Sequence, residues 1–371
     1  MKSYDAAIVG GGIVGVACAA SLSSAGLSVL LIEASGIAHG VTAAGMGHIV
    51  VMDDSDAQFE LTRYSQLLWN ELALELPIGA EFENCGTIWI AANEDEMVHV
   101  HRKHQYFASR GVISEVLDEK ALREVEPNLR YGLTGGLLVS GDSVVYQLVA
   151  TDFLLKKTRN AGGEVLPYNS AVELSDKGVK LSTGQFIPAG SIVNAAGSAA
   201  ASLSPSLQIR NRKGHLVITD RSPNFARHQL IELGYLRSAH GDSQDSVAFN
   251  VQPRKTGQVL IGSSRQFGTY DPAIDHDILR RMTSRAFEYM PGLRKLSAVR
   301  VWTGFRPATP DNLPYIGKLP EHDHVYAAAG HEGLGITTAL ATGELIADAI
   351  LGRDSTIPSE PYQPGRSVAE H

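Results

Sequence analysis

Three glycines near the amino terminus, Gly10, Gly12 and Gly15, stand at the spacing G-x-G-x-x-G, and Glu33 follows Gly15 by 18 residues. That combination is built to hold a dinucleotide. The first glycine permits a tight turn, the second lets a pyrophosphate approach the backbone, and the third lets a helix lie close to a strand. The helix that starts there offers N–H groups and the positive end of its dipole to the phosphate. A carboxylate at Glu33 accepts hydrogen bonds from a ribose 2′-hydroxyl, which selects an unphosphorylated adenosine ribose. Near the other end, His331-Glu332-Gly333-Leu334-Gly335 makes a second glycine turn ahead of a small-residue helix, 336–351.

Regular elements must place these groups. Ala6 to Val9 reads as a buried strand, Val16 to Ala25 as a buried helix ended by Gly26, and Ser28 to Ile32 as a second strand. The stretch from Ala34 to His48 is small, glycine-rich and nearly uncharged, which suits close backbone approach to a flat ligand; a flexible surface loop is the competing reading. Helices are expected over 55–76, 95–110, 114–126, 147–160, 278–290 and 336–351. Thr87 to Ala91 is expected in a hairpin, and further strands over 136–145, 165–166, 171–174, 178–181, 191–194, 215–219, 259–262, 299–304 and 325–329. The segment Ser191 to Gly197 again runs from a strand into a glycine turn. Nucleotide-domain strands therefore come from both termini and the middle, with a more β-rich region inserted. The tail from Ser355 reads as loosely ordered.

The 371 residues are 44% apolar and 19% charged, with 40 acids against 32 bases and a net charge of −8. This is the balance of a globular protein, and it argues against nucleic acid as the main partner, since a phosphate backbone demands a basic face. The two cysteines, Cys18 and Cys85, cannot supply a four-thiolate zinc or iron–sulfur site. They also provide no disulfide framework, which suits a reducing cytoplasm. His99, His101 and His104 read as a solvated helix face, and no metal site is expected. The apolar start reads as strand and turn, not as a signal peptide, and no apolar run is long enough to span a bilayer.

Taken together, these segments resemble the flavin-dependent amine and D-amino acid oxidoreductases typified by D-amino acid oxidase, glycine oxidase and sarcosine oxidase. The resemblance rests on Gly10 to Gly15 with Glu33, on Thr42-Ala43-Ala44-Gly45-Met46, and on Val193-Asn194-Ala195-Ala196-Gly197. It rests also on Gly304-Phe305-Arg306-Pro307 with Asp311, Pro314 and Gly317, and on Gly330 to Ile336. It runs over essentially the whole chain. It implies an α/β fold: a discontinuous Rossmann-type FAD-binding domain (1–80, 145–208 and 302–371) with an inserted α+β substrate domain (81–144 and 209–301) on an antiparallel-rich sheet. The implied cofactor is FAD. It should be non-covalent, because the cysteine that anchors flavin in sarcosine oxidases lies late in the chain and none follows Cys85.

What the resemblance implies for individual residues is specific. Cofactor contacts fall on Gly10, Gly12, Ile13, Val14, Gly15, Glu33, Ala34 and Ser35, then on Thr42, Ala43, Ala44, Gly45 and Met46. Val172, Ala195, Ala196 and Gly197 follow, then His331, Gly333, Leu334, Gly335 and Ile336. Arg306 is the expected partner of a substrate carboxylate, since a guanidinium makes a bidentate, geometrically fixed contact; a structural arginine bonding backbone carbonyls is the alternative. His48, Met46, Asn250 and Glu332 complete the substrate set. His48 is either a polar substrate contact or a hydrogen-bonded loop residue. No side chain is assigned as catalytic, because the flavin carries the chemistry, taking hydride at N5 from the amine-bearing carbon.

Glycine oxidase-like proteins carry a second arginine where this chain has Gly333, and a tyrosine where it has Asn250 ahead of Pro253-Arg254. The runs 44–48, 262–266 and 330–335 most resemble bacterial subunits related to hydroxyproline dehydrogenase, cyanide-forming glycine dehydrogenase and opine oxidase. The expectation is therefore an FAD-dependent dehydrogenase of a small D-amino or cyclic imino acid, with cis-4-hydroxy-D-proline as the favoured substrate. The alternatives are a glycine- or sarcosine-type oxidase producing peroxide, or the flavin subunit of a multi-subunit dehydrogenase. The partners implied are the amino or imino acid and an electron acceptor, oxygen or a quinone or dye, with a homo-oligomer or partner subunit compatible. The expected location is the cytoplasm, free or peripheral at the inner membrane.

Overall fold

The computed structural model describes residues 2–234 and 245–366. The chain forms two compact units, Met1–Ala80 with Tyr146–Asn211 and Arg306–His371, and Glu81–Val145 with Arg212–Phe305.

The first unit is organised on the strand Tyr4–Val9. It lies between Phe186–Asn194 and Val29–Ile32, parallel to both. Glu164–Leu166 extends the sheet beyond Val29–Ile32 and Val325–Ala329 extends it beyond Phe186–Asn194, both in parallel; Tyr315–Lys318 closes that side antiparallel. The central strands read as unbroken apolar runs because both faces are covered. On one face lie the helices Ile13–Ser24, Gln147–Asn160 and Gly335–Leu351. On the other, Ala7, Val9, Leu30 and Ile32 pack with Leu174, Val179 and Leu181 of the hairpin Ala171–Ser175 and Gly178–Leu181.

Small residues let two of those helices touch. A Cβ added to Gly343 would sit 2.9 Å from the Ala17 carbonyl oxygen. Ser21 Oγ also donates to Glu344 at 2.9 Å. The helices Ile13–Ser24 and Gly335–Leu351 therefore run side by side, each starting at one of the two glycine turns.

The second unit carries an eight-stranded sheet in the order Ala298–Ala308, Arg210–Thr219, Val259–Phe267, Ser246–Pro253, Gln229–Glu232, Thr87–Ala91, Gly135–Val139 and Ser114–Asp118. From Arg210–Thr219 onward the pairings are antiparallel except where Gln229–Glu232 runs parallel to Thr87–Ala91. The helix His276–Tyr289 packs on it, with the Tyr289 ring stacked on Phe249 at 4.5 Å.

Three local expectations are corrected. Residues 114–126 are not one helix: Ser114–Asp118 is an edge strand, and Glu119–Val125 is a helix that Asp118 caps by accepting from the Ala121 amide. Pairing with Gly135–Val139 buries Leu117 and overrides local helix preference. Thr87–Ala91 has no hairpin partner; its neighbours are distant in sequence. The tail is not loose through Arg366. Tyr362 is buried, its hydroxyl donates to the Ala57 carbonyl at 2.6 Å, and Arg366 makes a two-pronged ion pair with Asp311. No helix among the described residues is long and apolar enough to cross a membrane.

Candidate functional site

The N-terminal turn is shaped by contacts only glycine allows. Gly10 has φ +116°, and a Cβ there would lie 2.3 Å from the Ala195 carbonyl oxygen. A Cβ on Gly15 would lie 1.9 Å from the Gly10 carbonyl oxygen. The turn thus presses against Ala195 at the end of Phe186–Asn194, and the helix starts hard against the turn. Gly10, Gly12 and Val14 are partly open, whereas Gly11, Ile13 and Gly15 are buried. Glu33 is oriented by three donors: the Gly11 amide at 2.6 Å, the Ser35 amide at 2.7 Å and the Ser35 hydroxyl at 2.9 Å. Ala34 and Ser35 are exposed beside it.

The loop after Glu33 folds back over this turn. Val41–Ala44 is a single helical turn, and Thr42 Oγ1 accepts from the Ile13 amide at 3.0 Å. Gly12 has no side chain to cap its own helix, so a residue from another element does so. Gly45 approaches the C-terminal turn, since a Cβ there would lie 2.6 Å from Ile336 Cδ1. Its carbonyl accepts from Gln147 Nε2 at 2.8 Å. Met46 is buried and Ala43 exposed.

The C-terminal turn joins the same place. Gly335 lies near Val14, its missing Cβ 3.9 Å from Val14 Cγ2. Gly330 has φ +84° and Glu332 has φ +47°, which folds Glu332 so that its carboxylate accepts from the Gly333 amide. Arg306 lies at the inner end of the strand Ala298–Ala308, where Ala308 bridges to His331. A Cβ on Gly333 would be 3.6 Å from Arg306 Cδ, so the arginine stem lies along this turn.

Two histidines here are neutral. His331 Nε2 lies 3.0 Å from Thr342 Oγ1, whose own hydroxyl donates to the Thr338 carbonyl at 2.9 Å. The hydroxyl proton being engaged, His331 must donate, which places its hydrogen on Nε2. Burial lowers its pKa to about 3. His48 is lowered to about 4, chiefly by burial and further by the Arg306 charge, against the opposing effects of a hydrogen bond to the Gly333 backbone and of Glu332. Arg306 is thus flanked by an uncharged imidazole and a carboxylate.

The structure therefore brings the expected cofactor residues of the N-terminal turn, the loop 42–46, Ala195 to Gly197 and the turn 331–336 to one edge of the first unit. Val172 lies in the hairpin strand Ala171–Ser175, half exposed. Asn250 belongs to the second unit, on Ser246–Pro253, opposite Gly262 and Ile231. Sequence reasoning missed the supports behind the turns. Trp69 Nε1 donates to the carbonyls of Ile336 and Thr337, each at 3.1 Å, and Thr337 Oγ1 donates to the His48 carbonyl at 2.9 Å. An apolar-looking helix position gives no sign that its ring nitrogen will pin a turn 267 residues away.

These residues fit FAD. A bare-backbone cradle stands at a helix N-terminus for the pyrophosphate, a fixed carboxylate ends the second strand, and a second glycine turn lies beside the first. Known proteins agree. The chain is 25% identical to the glycine oxidase of Bacillus licheniformis over 394 aligned residues, covering 100% of this chain and 99% of that one. The crystal structure of glycine oxidase from Geobacillus kaustophilus superposes with a TM-score of 0.90 at 25% identity, covering 100% of both chains. L-proline dehydrogenase from P. horikoshii superposes at 0.87 and 25% identity, covering 98% of this chain and 97% of that one. The family profile described as FAD dependent oxidoreductase (DAO) matches residues 5–349, so the chain belongs to that family and FAD is its cofactor.

Proposed function

We propose that this enzyme oxidises a small D-amino or cyclic imino acid to its imine, with cis-4-hydroxy-D-proline as the favoured substrate, and works as a dehydrogenase. The observation that carries the reading is the guanidinium of Arg306 laid along Gly333, beside the neutral His48. One fixed cation suits one carboxylate, and a glycine at 333 leaves room for a ring where a second arginine would project. Likeness to L-proline dehydrogenase supports a cyclic substrate.

Arg306 would hold the carboxylate by paired charge-assisted hydrogen bonds and so set which hydrogen is presented. His48, Met46 and Glu332 would border the substrate. The first unit would be the FAD-binding domain and the second the substrate domain. The chemistry FAD supplies when bound is acceptance of hydride from the carbon bearing the nitrogen. FAD would be held without a covalent bond, and the enzyme would act in the cytoplasm.

Anaerobic mixing of the holoenzyme with a panel of D-amino and imino acids tests this. Bleaching of the flavin band by cis-4-hydroxy-D-proline ahead of glycine and sarcosine is expected; no bleaching by any of them would end the proposal. The glycine oxidase relatives favour a second reading, an oxidase of glycine or sarcosine that passes electrons to oxygen. Stoichiometric peroxide during turnover would establish it. An enzyme that bleaches with substrate but reduces neither oxygen nor a quinone or dye would instead be the flavin subunit of a larger dehydrogenase.

A further inference from the structure

The loop histidine His48 has a chemical identity that its place in the fold determines. Its backbone carbonyl is held by the Thr337 hydroxyl at 2.9 Å, and the Thr337 carbonyl is held in turn by Trp69 Nε1 at 3.1 Å. Its ring bonds the backbone of Gly333, the residue along which Arg306 lies. That backbone bond favours the protonated ring, so the imidazole N–H is the donor and the Gly333 carbonyl the acceptor. A neutral imidazole carries one hydrogen and one lone pair. With the hydrogen committed to Gly333, the other ring nitrogen is an acceptor, beside the guanidinium proposed to hold the substrate carboxylate.

We propose that His48 accepts a hydrogen bond from the substrate's nitrogen, reading the N–H group next to the carboxylate that Arg306 holds. The inference rests on the amino or imino acid reading above. In an α-amino or α-imino acid the nitrogen sits one carbon from the carboxylate, so a ring bonded to Gly333, along which the Arg306 stem lies, is placed to meet it. The charged groups facing His48 are Arg306, which opposes its protonation, and Glu332, which favours it; burial decides the balance, and the ring stays neutral above about pH 4. A protonated imidazole would have no lone pair to offer. Arg306 thus reads the carboxylate and His48 the nitrogen, so that amino and imino acids are separated from carboxylates with no donor beside the carboxyl-bearing carbon, such as fatty acids and keto acids.

Two planar five-membered ring carboxylates test this on the holoenzyme. Pyrrole-2-carboxylate has an N–H next to the carboxyl-bearing carbon, and 2-furoate has an oxygen there. Titrations followed by the flavin spectrum should show roughly tenfold tighter binding of pyrrole-2-carboxylate, the scale of one buried hydrogen bond. His48→Phe should bring the two affinities within about twofold of each other. His48→Gln, whose amide can donate to Gly333 and accept from the ligand, should keep part of the preference. Thr337→Val should erode the preference and Thr337→Ser retain it, which keeps the test open where His48→Phe fails to hold FAD. An equal preference in wild type and His48→Phe, or equal affinities in wild type, overturns the inference while leaving the carboxylate site standing. If neither compound perturbs the wild-type flavin, the amino acid reading fails and this inference with it.

Discussion

The Thr42 hydroxyl lies 3.0 Å from the Ile13 amide nitrogen, across 29 residues of chain. The loop that follows Glu33 therefore caps the helix whose N-terminus faces the expected pyrophosphate. Cap, turn and loop form one object, and loosening one loosens the others. Thr42→Val should weaken FAD binding by about 1 kcal/mol, or roughly fivefold, with Thr42→Ser close to wild type. FAD retention on desalting and the dissociation constant from fluorescence check this.

The two turns tolerate little added volume. Gly15→Ala would place a methyl 1.9 Å from the Gly10 carbonyl oxygen, whereas a Cβ at Gly40 meets nothing within 4 Å. Gly15→Ala should abolish FAD incorporation, and Gly40→Ala, which meets no atom although its ψ of −133° suits glycine better, should load far more flavin than Gly15→Ala. Absorbance of the purified proteins in the flavin band distinguishes them.

Arg306→Ala should raise KM for the amino acid by roughly 10- to 100-fold, the scale of lost charge-assisted hydrogen bonds, with the flavin spectrum unchanged. Arg306→Lys should recover only part, because an ammonium lacks the planar fork. Steady-state kinetics with substrate and with a carboxylate inhibitor measure both.

His48 and His331 tie stability to pH. Burial holds them at about 4 and about 3, below the ordinary 6.5. As pH falls through 6.5 the unfolded chain protonates these rings while the folded chain does not. The two rings therefore leave stability unaffected above about 6.5 and lower it progressively as pH drops toward 4 and then 3. Denaturant midpoints should fall across that window, and His331→Phe should flatten the fall.

The tail should matter. The Arg366 side chain is 9% exposed and that of Asp311 22%, and Arg366 also donates to the carbonyls of Leu313 and Pro314. Arg366→Ala should cost roughly 3 kcal/mol by leaving Asp311 unpaired in a partly buried place. Removing residues 355–371 should cost more, since it also uncovers the cavity that Tyr362 fills. Denaturation curves of the holoenzyme test both.

Much of this protein was legible in one dimension. The first strand, turn, helix and second strand, and the acid that ends it, follow from short-range rules: apolar runs, a glycine triplet and a helix stop. Gln147–Asn160 and Gly335–Leu351 stand where apolar spacing and small residues placed them. Local signals failed where pairing partners lie far away. Ser114–Asp118 is a strand because Gly135–Val139 runs beside it, and Thr87–Ala91 finds its neighbours 48 and 142 residues on. The tail read as loose because no local pattern shows that Arg366 will meet Asp311.

The sequence by itself pointed to a dinucleotide and to the N-terminal turn as its cradle, because glycine spacing and a carboxylate at the right interval act within one βαβ unit. Only the tertiary structure decided what surrounds it. Helices that pack at Gly343 and Ala17 bring the two turns, which lie more than 300 residues apart, side by side. The same packing buries His48 and His331 enough to keep them neutral, lays Arg306 along Gly333, and lets Trp69 and Thr337 hold the loop that carries His48. Burial and hydrogen-bond partners set protonation and orientation, and both depend on contacts that spacing along the chain does not contain.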